Sequence, residues 1–162
     1  MNRAIFLDRD GTINVDHGYM HDTDLLEFLP GVVEALQKIA AEGYKLILIT
    51  NQSGIGRGYF TEQQYQTFND ALTTELKNEG VEITQTFMCP HAPADDCKCR
   101  KPYPQMILQA IEKYNIDPKV SFMFGDKPSD VECGEAAGVT SRQITADQDL
   151  LYWINEIIEK RL

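Results

Sequence analysis

The chain has 162 residues, 43% hydrophobic and 25% charged, enough for one domain (1–162) with a sizeable core and too few for two ordinary ones. Its formal net charge of −10 opposes binding to a nucleic-acid backbone or an anionic membrane surface. No run approaches eighteen apolar residues, and MNRAIFL at the start lacks the apolar stretch of a secretory signal. The expectation is a cytoplasmic monomer that partners neither nucleic acid nor membrane.

Apolar runs alternate with helical patterns along the chain. RAIFL (3–7) reads as a first strand. Residues 31–42 place Val32, Leu36, Ile39 and Ala40 at helical spacing, with Gly43 as the C-terminal stop. YKLILIT (44–50) is nearly all apolar, as expected of a strand buried on both faces. Thr61 and Gln64 form a capping box that opens a helix closed by Gly80. ITQTFM (83–88) is a strand, 104–115 a helix, SFMF (121–124) a strand and 129–137 a helix ending at Gly138. VTSRQI (139–144) is the last strand, and 148–160 the last helix. This alternation predicts a Rossmann-like three-layer α/β/α fold around a parallel sheet. Such sheets bind ligands at the carboxyl ends of their strands.

The residues just after each strand therefore matter most. DRDGTIN (8–14) follows the first, and Asp8 and Asp10, two apart, point the same way in an extended segment. A calcium loop is excluded, because Ile13 and Tyr19 stand where that pattern needs Gly and Glu. TNQSGIGRG (50–58) follows the second, and its Thr50 hydroxyl and backbone N–H groups suit phosphate oxygens. GIGRG is not a dinucleotide fingerprint, and no P-loop occurs. CPHAPADDCKCRKP (89–102) follows the third strand and GDKPSD (125–130) the fourth. Arg9, Arg57, Arg100, Lys101 and Lys127 all fall in these loops, so a basic pocket on an acidic body is expected, suited to a small anion. Each loop alone is weak; Asp8, Asp10, Thr50, Lys101 and Asp126 at successive strand ends form a specific constellation.

DxDGT, a Thr ending the second strand, a later basic residue and GDxxxD together resemble the haloacid dehalogenase-like phosphatases, over nearly the whole chain. CPH…CxCRKP narrows the resemblance to the branch that holds histidinol-phosphatase and D-glycero-D-manno-heptose 1,7-bisphosphate phosphatase. FLDRDGTINVDHGY and TNQSGIGRGYF look more like the heptose side of it. The resemblance implies Mg²⁺-dependent hydrolysis of a small sugar phosphate. Asp8 would be the nucleophile, Asp10 the general acid and base, and Thr50 and Lys101 the stabilisers of the transferred group. Asp8, Asp126 and the Asp10 carbonyl would hold the metal. Implied substrate contacts are Asp16, His17, Gly18 and Tyr19, then Asn51, Gln52, Ser53 and Arg57, and finally Arg100 and Lys127. The implied setting is supply of heptose for lipopolysaccharide core or surface glycans. Histidinol phosphate is the second substrate reading, and a zinc-stapled binding module with an idle site is a third. Retention of every catalytic residue type opposes the third.

Cys89, His91, Cys97 and Cys99 offer one nitrogen and three sulfurs, a closed set suited to structural Zn²⁺. This loop ends next to Arg100 and is expected to hold Arg100 and Lys101 in place. Cys133, alone in a helix, reads as a small buried residue. The intervals 11–30 and 51–88 are too short for the cap domain common among the resembled enzymes, so an open site shaped by loops is expected.

Overall fold

Successive side chains of a strand point to opposite faces, so a strand apolar throughout needs cover on both. The computed structural model, which describes residues 1–145 and 147–162, supplies that cover. Strands β1 (Ala4–Leu7), β2 (Lys45–Asn51), β3 (Gln85–Cys89), β4 (Phe122–Gly125) and β5 (Thr140–Gln143) form one parallel sheet in the order β3-β2-β1-β4-β5. The helices are α1 (Val32–Ala41), α2 (Ser53–Gly56), α3 (Glu62–Asn78), α4 (Gln105–Tyr114), α5 (Pro128–Ala136) and α6 (Asp149–Ile158).

Strand β1 shows how the alternation divides the core. Ile5 and Leu7 join Leu46, Leu48, Phe122 and Phe124 beneath α1, α3 and α6, meeting Leu36, Ile39, Phe68, Leu72 and Ile154. Ala4 and Phe6 face the other way, joining Ile47, Ile49 and Met123 beneath α4 and α5, against Met106, Ile107, Ala110 and Cys133. The register pairs Ile5 with Leu46 and Phe122, and Leu7 with Leu48 and Phe124. Like faces therefore line up across the sheet, and each fully buried Leu, Ile or Phe contributes roughly 1.5–3 kcal/mol.

The helix boundaries follow local chemistry. The Gln64 amide N–H donates to Thr61 Oγ1 at 3.1 Å, and the Thr61 N–H donates to Gln64 Oε1 at 2.8 Å. Gly43 and Gly80 follow α1 and α3 at φ 87° and 80°, left-handed positions that favour glycine. Helix α2 and the 3-10 turns Thr23–Leu25 and Pro118–Val120 were not expected. Each is under five residues, too short for a periodic pattern to register. The interval 11–30 holds the first of these turns, and 51–88 holds α2 and α3.

The strand order decides where the site lies. The chain builds outward from β1 to β2 and β3, then returns to place β4 on the other side of β1. The order reverses between β1 and β4, and ligands of open parallel sheets bind at such a crevice. Asp8 and Asp126 follow these two neighbouring strands.

Candidate active site

Asp8 continues β1 by one residue, its N–H donating to Phe124 O at 3.0 Å. Beyond it the chain turns sharply, with Arg9 O accepting from the N–H groups of Thr12 at 3.2 Å and Ile13 at 2.9 Å. Gly11 makes this turn possible in two ways. Its φ is 85°, and a Cβ there would collide with the Asp126 carboxylate. Gly125 has a similar duty at the end of β4, where a Cβ would collide with the Asp130 side chain.

Lys101 is the hub of the site. It is 4% exposed, between Asp8 at 6% and Asp130 at 1%. Its Nζ donates to Asp8 Oδ1 at 2.8 Å, Asp130 Oδ1 at 2.6 Å and the Ile49 carbonyl at 2.7 Å. Three donors thus meet three acceptors, the full capacity of an ammonium group. Burial opposes its charge, but the two carboxylates outweigh burial and raise the Lys101 pKa. Two buried carboxylates against one ammonium leave this group with a net negative charge.

A second pair of carboxylates shares the remaining problem. Burial pushes Asp8 up, yet the Lys101 charge and hydrogen bonds with Asp126 and Lys101 outweigh it, and its net shift is downward. Asp126 is pushed up to about 7 by burial and then by the hydrogen bond and charge of Asp8. Neighbouring carboxylates cannot both ionise cheaply, so of the two Asp126 is the one that takes up a proton first as pH falls. Its Oδ1 is buried with no partner among the described residues. Oxygens of Asp8, Asp126 and Asp130 lie within 4.8 Å of one another, but both Asp130 oxygens are engaged, by Lys101 Nζ and by the Lys127 N–H at 3.0 Å. Asp8 and Asp126 are left to face a hard divalent cation, which fits this donor set and would take the place of the proton.

Asp10 is held by its neighbours. Arg9 donates to it through Nε at 2.9 Å and Nη2 at 3.1 Å, Asn14 Nδ2 at 3.1 Å and Gln52 Nε2 at 3.2 Å. Asp8, Asp10, Asp16, Gly18, Tyr19, Thr50, Asn51, Gln52, Ser53, Arg100, Lys101 and Lys127 all border one cavity of about 280 Å³. Arg100 borders the cavity, and its Nη1 is buried without a partner among the described residues. Lys127 is largely exposed at the rim, its Nζ 3.5 Å from Asp126 Oδ2. A carboxylate, an ammonium and a guanidinium thus border one cavity, while Asp126 borders the neighbouring pocket with Gly11 and comes within 4.8 Å of Asp8; together they are the set that phosphoryl transfer requires.

A haloacid dehalogenase-like hydrolase family model matches residues 14–138. The chain belongs to that family. It is 47% identical to the D-glycero-beta-D-manno-heptose-1,7-bisphosphate 7-phosphatase of Pasteurella multocida, over 91% of this chain and 87% of the relative. It is 46% identical to the protein of that name from Haemophilus influenzae, over 86% and 79%. Among solved structures it resembles the D,D-heptose 1,7-bisphosphate phosphatase of B. bronchiseptica complexed with magnesium and phosphate. That likeness has a TM-score of 0.89 and 27% identity, covering 98% of this chain and 99% of the other.

Within this haloacid dehalogenase-like framework, some expected residues stand elsewhere. His17 and Arg57 are exposed and do not border the cavity. Asn51 and Gln52 border it but spend their amides on the protein. Asn51 Oδ1 accepts from the Lys101 N–H at 3.0 Å, and Gln52 Nε2 donates to Thr50 Oγ1 at 2.9 Å as well as to Asp10. Arg9 is a correction. It was grouped with the cations of a basic pocket, yet it is fully buried, paired with Asp10 and set over the Phe68 ring at 4.7 Å. Asp130 was missed as a site residue. Its signal is the GDxxxD pattern, of which Asp130 is the last residue, and Gly125 leaves room for its side chain to fold back.

The cysteine loop borders this hydrolase site. His91 Nδ1 lies 3.4 Å from Cys89 Sγ and 3.3 Å from Cys99 Sγ, and Cys97 Sγ lies 3.9 Å from Cys89 Sγ. A tetrahedral zinc with ordinary bond lengths sets ligand atoms ~3.6–3.8 Å apart, so these spacings fit. The Cys89 and Cys99 sulfurs are in bonding contact, with Cα atoms 5.7 Å apart. That contact is closer than two ligands of one ion stand, but a pairing of those two alone leaves the convergence of His91 and Cys97 unexplained; all four donors gather within 4.8 Å of one another, and one ion would account for that with the Cys89 and Cys99 sulfurs apart as ligands. The loop is also tied to the phosphate side of the site. The Gln52 N–H donates to Cys89 O at 2.8 Å and the Gly56 N–H to Pro90 O at 2.9 Å.

Proposed function

We propose that this chain is a Mg²⁺-dependent phosphatase that removes the 7-phosphate of D-glycero-D-manno-heptose 1,7-bisphosphate. The observation that carries the reading is the Asp8–Lys101–Asp130 group beside Asp126 at the β1/β4 switch, in a chain whose close relatives bear that activity in their names. Asp8 Oδ attacks phosphorus as the bond to the sugar oxygen breaks, giving an aspartyl-phosphate. Asp10, held by Arg9, Asn14 and Gln52, gives its proton to the departing oxygen. It then takes one from the water that splits the aspartyl-phosphate and regenerates Asp8. Lys101, whose three N–H groups are engaged by the protein, acts through its positive charge, and the Thr50 hydroxyl through a hydrogen bond, to stabilise the charge that builds on the transferred oxygens. Asp8, Asp126 and the Asp10 carbonyl would hold Mg²⁺, which when bound would supply the positive charge that lets an anionic nucleophile approach an anionic phosphate.

The second phosphate accounts for the surplus of cations. Lys101 serves the reacting group, leaving Arg100 and Lys127 on the cavity wall. A planar guanidinium binds phosphate bidentately, which suits the buried, unpartnered Arg100 Nη1. Histidinol phosphate carries an amine that these cations repel. Zinc bound by Cys89, His91, Cys97 and Cys99 is structural and braces the segment running into Arg100 and Lys101. Residues 1–162 are read as one domain, because both apolar layers share a single sheet. They are read as a monomer. No described helix is long and apolar enough to cross a membrane, which is consistent with a cytoplasmic enzyme. The test is kcat/KM for the heptose bisphosphate and for histidinol phosphate with Mg²⁺. Higher efficiency on the bisphosphate is expected, and the reverse would overturn the substrate.

A further inference from the structure

Two loops at the mouth of the cavity are joined by contacts that the phosphate chemistry does not require. Tyr19 borders the cavity, and its φ of 47° is a left-handed conformation that a tyrosine keeps only where its surroundings hold it. Those surroundings are two adjacent residues of another loop. The Tyr59 ring meets the Tyr19 ring edge to face at 4.7 Å and 80°. His21 Nδ1 lies 2.6 Å from the Tyr19 carbonyl oxygen, which accepts its hydrogen. The His21 ring in turn stacks on Phe60 at 4.8 Å and 16°. The dipeptide Tyr59–Phe60 thus grips Tyr19 by its ring and, through His21, by its backbone.

The grip is anchored on the cavity itself. Phe60 is buried at 4% exposure, and its ring lies so close to Gly54 that a Cβ there would collide with it. Gly54 borders the cavity beside Ser53. Tyr59, by contrast, is 56% exposed and does not border the cavity. Its contact with Tyr19 contributes little to the core, so a structural role does not account for it.

We infer that Tyr59 is a positioning residue that holds the Tyr19 ring at the rim, where it meets the sugar portion of the substrate. A tyrosine offers an apolar face to sugar C–H groups and a hydroxyl to sugar oxygens. The inference rests on the sugar-phosphatase reading and deepens it, assigning substrate grip to a residue that does not touch substrate. A small phosphoryl donor reaches Asp8 without reaching the rim, whereas a heptose bisphosphate spans both.

The experiment compares wild type, Tyr59→Ala and Tyr59→Phe on the heptose bisphosphate and on acetyl phosphate, with Mg²⁺. Tyr59→Ala should raise KM for the bisphosphate about two- to tenfold, the worth of one aromatic pair. Its kcat should stay within about twofold, because the lost contact serves bound substrate and transition state alike. Acetyl phosphate kinetics should not move, and Tyr59→Phe, which keeps the ring, should behave as wild type. His21→Ala, which releases the backbone half of the grip, should give the same split between substrates. Equal losses on both substrates, no loss on either, or a Tyr59→Phe variant as impaired as Tyr59→Ala would each overturn the inference. Absence of wild-type turnover on the bisphosphate would overturn the substrate reading and this inference with it. Normal wild-type turnover with an unaltered Tyr59→Ala variant would overturn the inference alone.

Discussion

Replacing Asp130 with asparagine separates the site's chemistry from its stability. Asp130 uses two oxygens, one for Lys101 Nζ at 2.6 Å and one for the Lys127 N–H at 3.0 Å. Asparagine has one oxygen, so a donor faces a donor at one of the two contacts. An unmade buried hydrogen bond costs about 1–3 kcal/mol. Against this, the substitution removes a negative charge from a buried group that carries one too many. Burial and the Asp8 charge raise the Asp130 pKa despite the pull of Lys101, so the ionised form is disfavoured in the folded protein. The net loss should be no more than about 2 kcal/mol, or ~4–8 °C in Tm for a chain of this size. The pH dependence has a definite sign. A raised carboxyl pKa means that the folded protein binds the proton more tightly, so wild type gains stability as pH falls through that pKa. Asparagine lacks this, and the gap between the two proteins should widen on acidification. Activity should suffer more than stability. Lys101 keeps only Asp8 and the Ile49 carbonyl, and small misplacements of such a group cost up to ~100-fold. Thermal melts from pH 5 to 8 and kcat on the same samples decide the matter. Near-wild-type kcat, or a collapse in Tm with normal activity per folded molecule, would refute the reasoning.

Three further outcomes are expected. Cys97→Ser should lose stoichiometric zinc by elemental analysis and melt well below wild type, because metal binding contributes directly to folding; unchanged metal content would contradict the four-ligand site. Apparent Mg²⁺ affinity, read from activity titrations, should weaken by up to about tenfold per pH unit below 7, because the cation must displace the proton that Asp126 holds at about 7; a flat dependence would count against Asp126 as a ligand. Arg100→Ala should raise KM for the bisphosphate by about 10- to 100-fold, the worth of a charged hydrogen bond to phosphate. The same change should leave acetyl phosphate nearly untouched, and equal losses would remove Arg100 from the second-phosphate role.

The strands were legible because burial on both faces writes itself as continuous apolar runs, and YKLILIT lies where β2 runs. The convergence of Asp8, Thr50, Lys101 and Asp126 followed from strand ends alone. The charge of Arg9 suggests a pocket cation, but periodicity places it in the core. It continues the Ile5 and Leu7 face, and the same alternation that buries those two turns its guanidinium toward Phe68. Asn51 and Gln52 are expected as substrate contacts from their phosphate-friendly loop; both border the cavity, and their amides also hold the protein. Nothing in the sequence tells an amide that faces a ligand from one that braces a lysine 50 residues away. The aromatic bridge between Tyr19 and Tyr59 was invisible for a similar reason, since the two loops meet only after the sheet has brought β1 and β2 side by side.

The central claim, that Asp8 and its neighbours remove the 7-phosphate of a heptose bisphosphate, is tested most directly by following the two phosphate resonances of that compound by phosphorus NMR with enzyme and Mg²⁺. The account predicts that the C7 signal converts to inorganic phosphate while the anomeric signal persists, and that Asp8→Asn leaves both unchanged. Loss of the anomeric signal first, or turnover by the Asp8→Asn variant at a rate near wild type, would contradict it.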